Sequence, residues 1–283
     1  MLSPAKLKWA VSFVLDKFKV SERRVCRALS VNRNTLHHKS NKIERDAEIR
    51  DRIIETVKKH GCRGYRMVTG ILRNQGILVN HKRVERIWRE EGLKIPKKQR
   101  KRRRLWLNDG SCIRLRAEHP NHVWSYDFVE DRTVNGQKIR ILNIIDEYTR
   151  ECLASIPSRS WKNMAVIEVL SELFFWKGPP EYLRSDNGTE FSNNQIKAWL
   201  ARMGVITAFI EPGSPWENGF VESFNSRMRD EFLNAEIFGN MLECRALLKQ
   251  WTDYYNNLRP HSALGGKPPT YYIQAPEVWV KTA

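Results

Sequence analysis

The sequence has few cysteines, and no order among them. Its five, Cys26, Cys62, Cys112, Cys152 and Cys244, are scattered over 283 residues with no C-x-x-C pair. That excludes a disulfide scaffold and matches no zinc-site spacing, so His37 and His38 read as polar helix residues, not metal ligands. Long apolar runs are missing too: none approaches the roughly 18 residues of a membrane span. The opening Met1-Leu2-Ser3-Pro4-Ala5-Lys6 lacks the charged-then-apolar order of a secretory signal. The expectation is a reducing cytoplasm and no membrane partner. Internal repeats and low-complexity stretches are also absent. What is present, 41% hydrophobic residues and ten tryptophans, suits packed globular structure and not disorder.

Acidic residues are scarce in one half only. Residues 1–117 carry 32 Lys+Arg against 11 Asp+Glu, a net of +21, whereas residues 118–283 carry 17 against 21, a net of −4. A charge serving solubility alone would be spread along the chain. A segment this basic draws a polyanion, because each phosphate it neutralises releases condensed counterions. Nucleic acid is the partner that charge predicts.

The periodicity divides the basic half into helical units. Val11, Val14, Leu15 and Phe18 share one helical face, and Ser21 offers an N-cap to a helix carrying Val25, Ala28 and Leu29. After a turn at Ser30-Val31, Asn32 caps a short helix whose Arg33, Asn34 and Thr35 would face DNA in a helix-turn-helix spanning 1–44. A second unit, 45–95, sets Val68, Ile71 and Leu72 against Val84, Ile87 and Trp88. Asn80 caps its last helix, Lys82, Arg83, Arg86 and Arg89 fill the polar face, and Gly92 stops it. Residues 96–117 are a basic linker in which Lys97, Lys98, Arg100, Lys101, Arg102, Arg103 and Arg104 would grip phosphate, a nuclear signal being the other reading of such a run.

From His119-Pro120 the character changes to α/β. Strands are expected at 122–129, 139–145 and 152–156, the first two joined by an Asn135-Gly136 turn. A helix follows at 163–176, with Ala165, Val169, Leu173 and Trp176 on one face. Next come a strand at 181–185, a helix at 193–203, a strand at 206–210 and a long helix at 216–234. That order is an RNase H-like core, a mixed five-stranded sheet with helices on both faces. It occupies 118–235 and is followed by a helical extension, 236–283.

Three acids stand where acids are unexpected. Asp127 interrupts an apolar strand, where an unpaired carboxylate would cost several kcal/mol, so it must be paired, protonated or metal-bound. Asp186 directly follows a short strand, at an edge where α/β sites form. Glu222 lies on the long helix, capped by Ser214 with Pro215 and Glu217 in its first turn. There Val221, Phe224 and Met228 form the apolar stripe, and Asn218, Glu222, Asn225 and Arg229 a polar one. Taken singly, any of these acids reads as structural. Jointly they suit phosphodiester transfer: three carboxylates are the minimum that holds two Mg²⁺ ions, with Mn²⁺ as a substitute.

The triad and its 35-residue gap between Asp186 and Glu222 resemble the DDE transposases and retroviral integrases. The surrounding residues resemble still more the second-frame transposase of the bacterial insertion-sequence family three. The likeness rests on residues 122–127 (His-Val-Trp-Ser-Tyr-Asp), 185–191 (Ser-Asp-Asn-Gly-Thr-Glu-Phe), 212–222 and 255–264, with weaker matches at 20–29 and 64–66. The resemblance implies a transposase that binds element ends in double-stranded DNA, nicks them to free a 3′-OH and joins that hydroxyl to another strand. It implies catalysis and metal binding by Asp127, Asp186 and Glu222, and a DNA contact by Arg229. A homo-oligomer on DNA is expected, because two ends must be held together. The family also joins an upstream reading frame to this one by frameshifting, so an upstream-frame partner or fusion is expected as well. The His-His-Cys-Cys zinc unit of retroviral integrases has no counterpart here. Two alternatives stay open, a DNA-binding regulator with an inert core and an RNase H-like nuclease without strand transfer.

Overall fold

The computed structural model describes residues 4–37, 42–61, 64–94, 115–185, 194–209 and 218–274. The chain divides into two units, Met1–Asp51 and Arg52–Ala283. The first holds α1 (Pro4–Phe18), α2 (Glu22–Ala28), α3 (Arg33–His37) and the start of α4 (Lys42–His60). Its core is Val11, Val25, Cys26 and Val31, with Leu7, Val14, Leu15 and Leu36 packed around them. Phe18, predicted to join this face, is 59% exposed, because α1 ends there and the chain turns away through Lys19 at φ 48°. On α2 the buried pair is Val25 and Cys26, whereas Ala28 and Leu29 are exposed; a seven-residue helix turns too little surface toward α1 to cover them. Ser21 occupies the N-cap position without a side-chain bond, while Asn32 Oδ1 accepts from Asn34 N at 2.9 Å, as a capping Asn should.

The second unit is built on a sheet of order β3-β2-β1-β4-β5, comprising β1 (Val123–Arg132), β2 (Lys138–Asp146), β3 (Cys152–Ser158), β4 (Tyr182–Ser185) and β5 (Ile206–Phe209). The first three strands pair antiparallel and β4 and β5 run parallel to β1. Gly136, at φ 74°, makes the β1–β2 turn that Asn-Gly predicts. Strand alternation sorts the core into two layers. Trp124, Tyr126, Leu142, Ile144 and Leu183 pack under α7 (Asn163–Lys177) and α8 (Asn194–Arg202). On the opposite face Val129, Ile139, Ile141 and Ile145 pack under α9 (Gly219–Met228) and α10 (Met241–Asn257). Helices on both faces of a mixed sheet are the architecture expected of an RNase H-like core.

Two details depart from the pattern read off the sequence. The buried stripe of α7 is Val166, Leu170 and Phe174, so Ala165, Val169 and Leu173 flank it and Trp176 is 73% exposed. The helix predicted at 216–234 is not uniform: α9 passes at Arg229 into a π-helical turn, Arg229–Leu233. Its proposed cap residues Ser214, Pro215 and Glu217 lie outside the described residues.

Helices α5 (Tyr65–Asn74) and α6 (His81–Glu90) bury Val68, Ile71, Leu72, Val84, Ile87 and Trp88 as predicted. Asn80 Oδ1 caps α6 through Lys82 N at 3.0 Å. They belong to the same unit as the sheet. Ile71 shares the α9/α10 core, and Asn74 Nδ2 donates to the carbonyls of Leu258 and Gly266 at 3.1 and 3.3 Å. At Gly70 a Cβ would stand 2.5 Å from the Pro260 ring, so only glycine admits this approach.

Candidate catalytic site

Asp127 sits mid-way along β1, on the face that α9 covers, and is half-buried. Its Oδ1 accepts the following backbone N–H, from Phe128, at 2.7 Å. Its Oδ2 accepts Asn225 Nδ2 at 2.7 Å. Asn225 is on α9, and Glu222 stands one turn earlier, with Cβ atoms about 5–6 Å apart at that spacing. Val221, Phe224 and Met228, all buried, press α9 onto β1 and β2 and so fix which side of the helix meets the strand. Asn225 thereby ties the helix that carries Glu222 to the strand that carries Asp127.

Other acids of the unit are engaged elsewhere. Glu147 is fully buried with Arg184, which donates to both its oxygens at 2.6 and 2.7 Å; Ser125 Oγ donates to it as well. Asp146 accepts backbone N–H groups from Asn121, Tyr148 and Thr149, while burial pushes its carboxyl above the usual range. Glu231 is held by Arg259 at 2.6 and 2.8 Å, and Glu151 by Lys177 at 2.9 Å. Glu222, by contrast, is exposed, and its side chain makes no hydrogen bond or ion pair among the described residues.

Asp186 and its Asn-Gly turn lie outside the described residues, as do Lys97, Lys98, Arg100, Lys101, Arg102, Arg103 and Arg104 of the linker. The strand leading to Asp186 is in place: β4 runs beside β1 with Arg184 opposite Ser125. Arg229 is exposed at the start of the π-helical turn, and its Nη2 donates to Glu130 O at 3.2 Å. A cavity of about 480 Å³ opens beside Phe220, with Arg116 and Arg150 on its wall. On α6, Lys82 is exposed and Arg83 half-buried, while Arg86 reaches Glu90 at 4.0 Å. On α3, Asn34 and Thr35 are exposed, and Arg33 pairs with Glu22 at 3.0 Å.

The sequence reading missed a trio, His119, His122 and Glu181, close enough to hold a metal. The hydrogen bonds argue otherwise. His122 Nδ1 accepts from Glu118 N at 3.0 Å, which leaves the proton on Nε2, the atom facing Glu181. A protonated nitrogen cannot ligate. The cysteines among the described residues are equally unsuited: Cys26, Cys152 and Cys244 are free and buried, and burial raises the Cys244 thiol to about 11.

Comparison with known proteins agrees with this architecture. The integrase core domain family matches residues 117–215 and again 203–269, and an HTH-like domain family matches 44–103. An insertion element IS407 protein of Burkholderia multivorans is 32% identical over 93% of this chain and 94% of its own length. An insertion element IS476 protein of Xanthomonas euvesicatoria is 33% identical over 96% of this chain and 78% of its own. The putative transposase InsK of IS150 from Escherichia coli is 28% identical over 87% of this chain and 91% of its own. With a mixed five-stranded core and an HTH-like region in one chain, the protein belongs to the integrase-core transposases of bacterial insertion elements.

Proposed function

We propose that Asp127, Asp186 and Glu222 are the catalytic carboxylates of a polynucleotidyl transferase that cleaves insertion-element ends and joins the freed 3′-OH to another strand. The observation that supports it most is the Asn225–Asp127 bond, 2.7 Å, which fastens the helix bearing Glu222 to the strand bearing Asp127. The donor set is hard oxygen, which suits Mg²⁺ with Mn²⁺ as a substitute. Asp127, Asp186 and Glu222 would together hold two such ions. Bound there, the ions supply activation of the attacking oxygen and neutralisation of charge on the leaving 3′-oxygen.

The chain's own residues do the rest. Asp127 arrives with both oxygens already oriented, one by Phe128 N and one by Asn225, so little ordering remains when substrate docks. Glu222 faces solvent, where a DNA end can reach it. Arg229, two turns along the same stripe, offers a guanidinium to a phosphate flanking the scissile bond. Lys82, Arg83 and Arg86 of α6, with Arg33, Asn34 and Thr35 of α3 and the linker cations, would hold duplex DNA, and a homo-oligomer would pair the two ends. An upstream-frame protein or fusion would join that assembly.

The test is a Mg²⁺-dependent cleavage and strand-transfer assay on the element's own ends. Asp127→Asn, Asp186→Asn and Glu222→Gln should each abolish both products while DNA binding persists. Wild-type turnover by any one of them removes that residue from the triad. Cut ends without joined product would favour the nuclease reading, and binding without either product the regulator.

A further inference from the structure

Behind Asp127 the hydrogen bonds continue into the sheet. Asn225 Oδ1 accepts from Asn143 Nδ2 at 2.8 Å, and Asn143 Oδ1 accepts from Ser155 Oγ at 2.7 Å. Asn143 lies on β2 directly opposite Asp127, and Ser155 lies on β3 directly opposite Asn143. The three strands and α9 are thus threaded by one line of polar groups, Ser155, Asn143, Asn225 and Asp127. Asn143 is 0% exposed and sits between Leu142 and Ile144. Its neighbours on this face of the sheet, Ile141 and Ile145, are apolar core residues.

An amide is a poor choice for that position if the fold alone is at stake. A β-branched side chain would suit the strand better and avoid desolvating a polar group. Its retention is intelligible from the direction of the bonds. An ionised carboxylate accepts only, so Asn225 must turn its NH₂ to Asp127 and its oxygen inward. That oxygen needs a donor, which forces Asn143 to present its own NH₂ and leaves its oxygen for a hydroxyl. Ser155 supplies the hydroxyl. Each group in the line has one permitted orientation, and together they set the rotation of the Asp127 carboxylate.

Resting on the reading of Asp127 as a metal-binding carboxylate, we propose that Asn143 is a positioning residue. Anchored by Ser155 and acting through Asn225, it fixes the Asp127 oxygens for divalent cation binding. Groups of this kind around a metal ligand change affinity by roughly 10–100-fold when removed. The effect should therefore appear in metal affinity, in the absence of DNA.

The measurement is the rise in melting temperature of the full-length protein as Mn²⁺ alone is added, compared among wild type, Asn143→Leu, Asn225→Ala, Ser155→Ala and Asp127→Asn. Asn143→Leu and Asn225→Ala should move the Mn²⁺ midpoint at least ~10-fold upward. Ser155→Ala should move it by less, and Asp127→Asn should remove the response. Cleavage by Asn143→Leu should recover at high Mn²⁺, a defect in metal KM and not in kcat. A lowered melting temperature with an unchanged Mn²⁺ midpoint would mean that Asn143 serves packing alone, and would overturn the inference while the absent response of Asp127→Asn leaves the site reading standing. A wild-type response from Asp127→Asn would overturn both. Should Asn143→Leu fail to fold, Asn225→Ala decides the matter, since that residue is only half-buried.

Discussion

Arg184 and Glu147 form an ion pair with side chains 4% and 0% exposed, one strand away from Asp127. Leu115 O takes a further bond from Arg184 at 2.8 Å, and Ser125 donates to the carboxylate, so the charges are fully accompanied. Removing one partner strands the other. Arg184→Met should cost about 3–5 kcal/mol, seen as a fall of about 10 °C in melting temperature; a change under 2 °C would show that Glu147 tolerates the absence of its partner. His261 makes a different demand. Burial, helped by the neighbouring Arg259, pushes its pKa down from 6.5 to about 3. Between those values the unfolded chain binds more protons than the folded one, so stability falls as pH drops from 6.5 toward 3. Buried Asp146 and Glu151, raised by desolvation, contribute with the opposite sign, so wild type and variant must be compared. His261→Phe should flatten the decline between pH 6 and pH 4 by on the order of a few kcal/mol in urea unfolding. At this scale the sequence discloses Asp127, because an acid inside an apolar strand is conspicuous. Asn143 and Arg184 escape notice, since their partners lie 82 and 37 residues away and nothing local pairs them.

Among the elements, periodicity serves well where a helix has one partner. Both buried faces of α5 and α6 and the apolar stripe of α9 follow from spacing alone. It serves badly for α7, whose residues are apolar nearly all round, so that phase is decided by what lies beneath. Val166, Leu170 and Phe174 meet the sheet because Trp124 and Leu183 are there to receive them. The five strands are legible from β-rich runs and the Asn-Gly turn. The π-helical turn after α9 is not, because no residue type signals it. Gly70 belongs with the illegible features: inside a helix it reads as a weakness, and its reason, the Pro260 ring, is 190 residues distant. Alanine normally favours a helix over glycine by about 1 kcal/mol. Here its Cβ would meet Pro260 side-chain atoms at 2.5 and 2.8 Å, an overlap that costs about 1–3 kcal/mol. Gly70→Ala should therefore lower the melting temperature, and Gly70→Val lower it further; stabilisation by alanine would show that the Pro260 ring moves aside freely.

For the whole molecule, the charge asymmetry and the physical division fall at different places. Basicity ends near residue 117, but the compact units divide at Asp51, well inside the basic half. The sequence makes the first boundary visible through composition. It hides the second, because Met67, Ile71 and Asn74 look like the inner face of a small helical domain when they also seal the core under α9 and α10. The consequence concerns how the protein can be cut. A fragment of 52–283 should fold, with a melting temperature close to that of the larger unit in the full chain. A fragment of 118–283 lacks Ile71, fully buried in the full chain, and both Asn74 bonds, exposing the residues they covered. It should aggregate or melt at least ~10 °C lower. The same α5–α6 unit carries Lys82, Arg83 and Arg86, so the 52–283 fragment should keep measurable affinity for duplex DNA. Replacing those three by alanine should reduce the slope of log K against log salt by up to about 0.9 for each phosphate no longer neutralised. An unchanged slope would move the DNA-binding surface off α6. A stable, cooperatively melting 118–283 fragment would show that the catalytic half needs nothing from the helices before it.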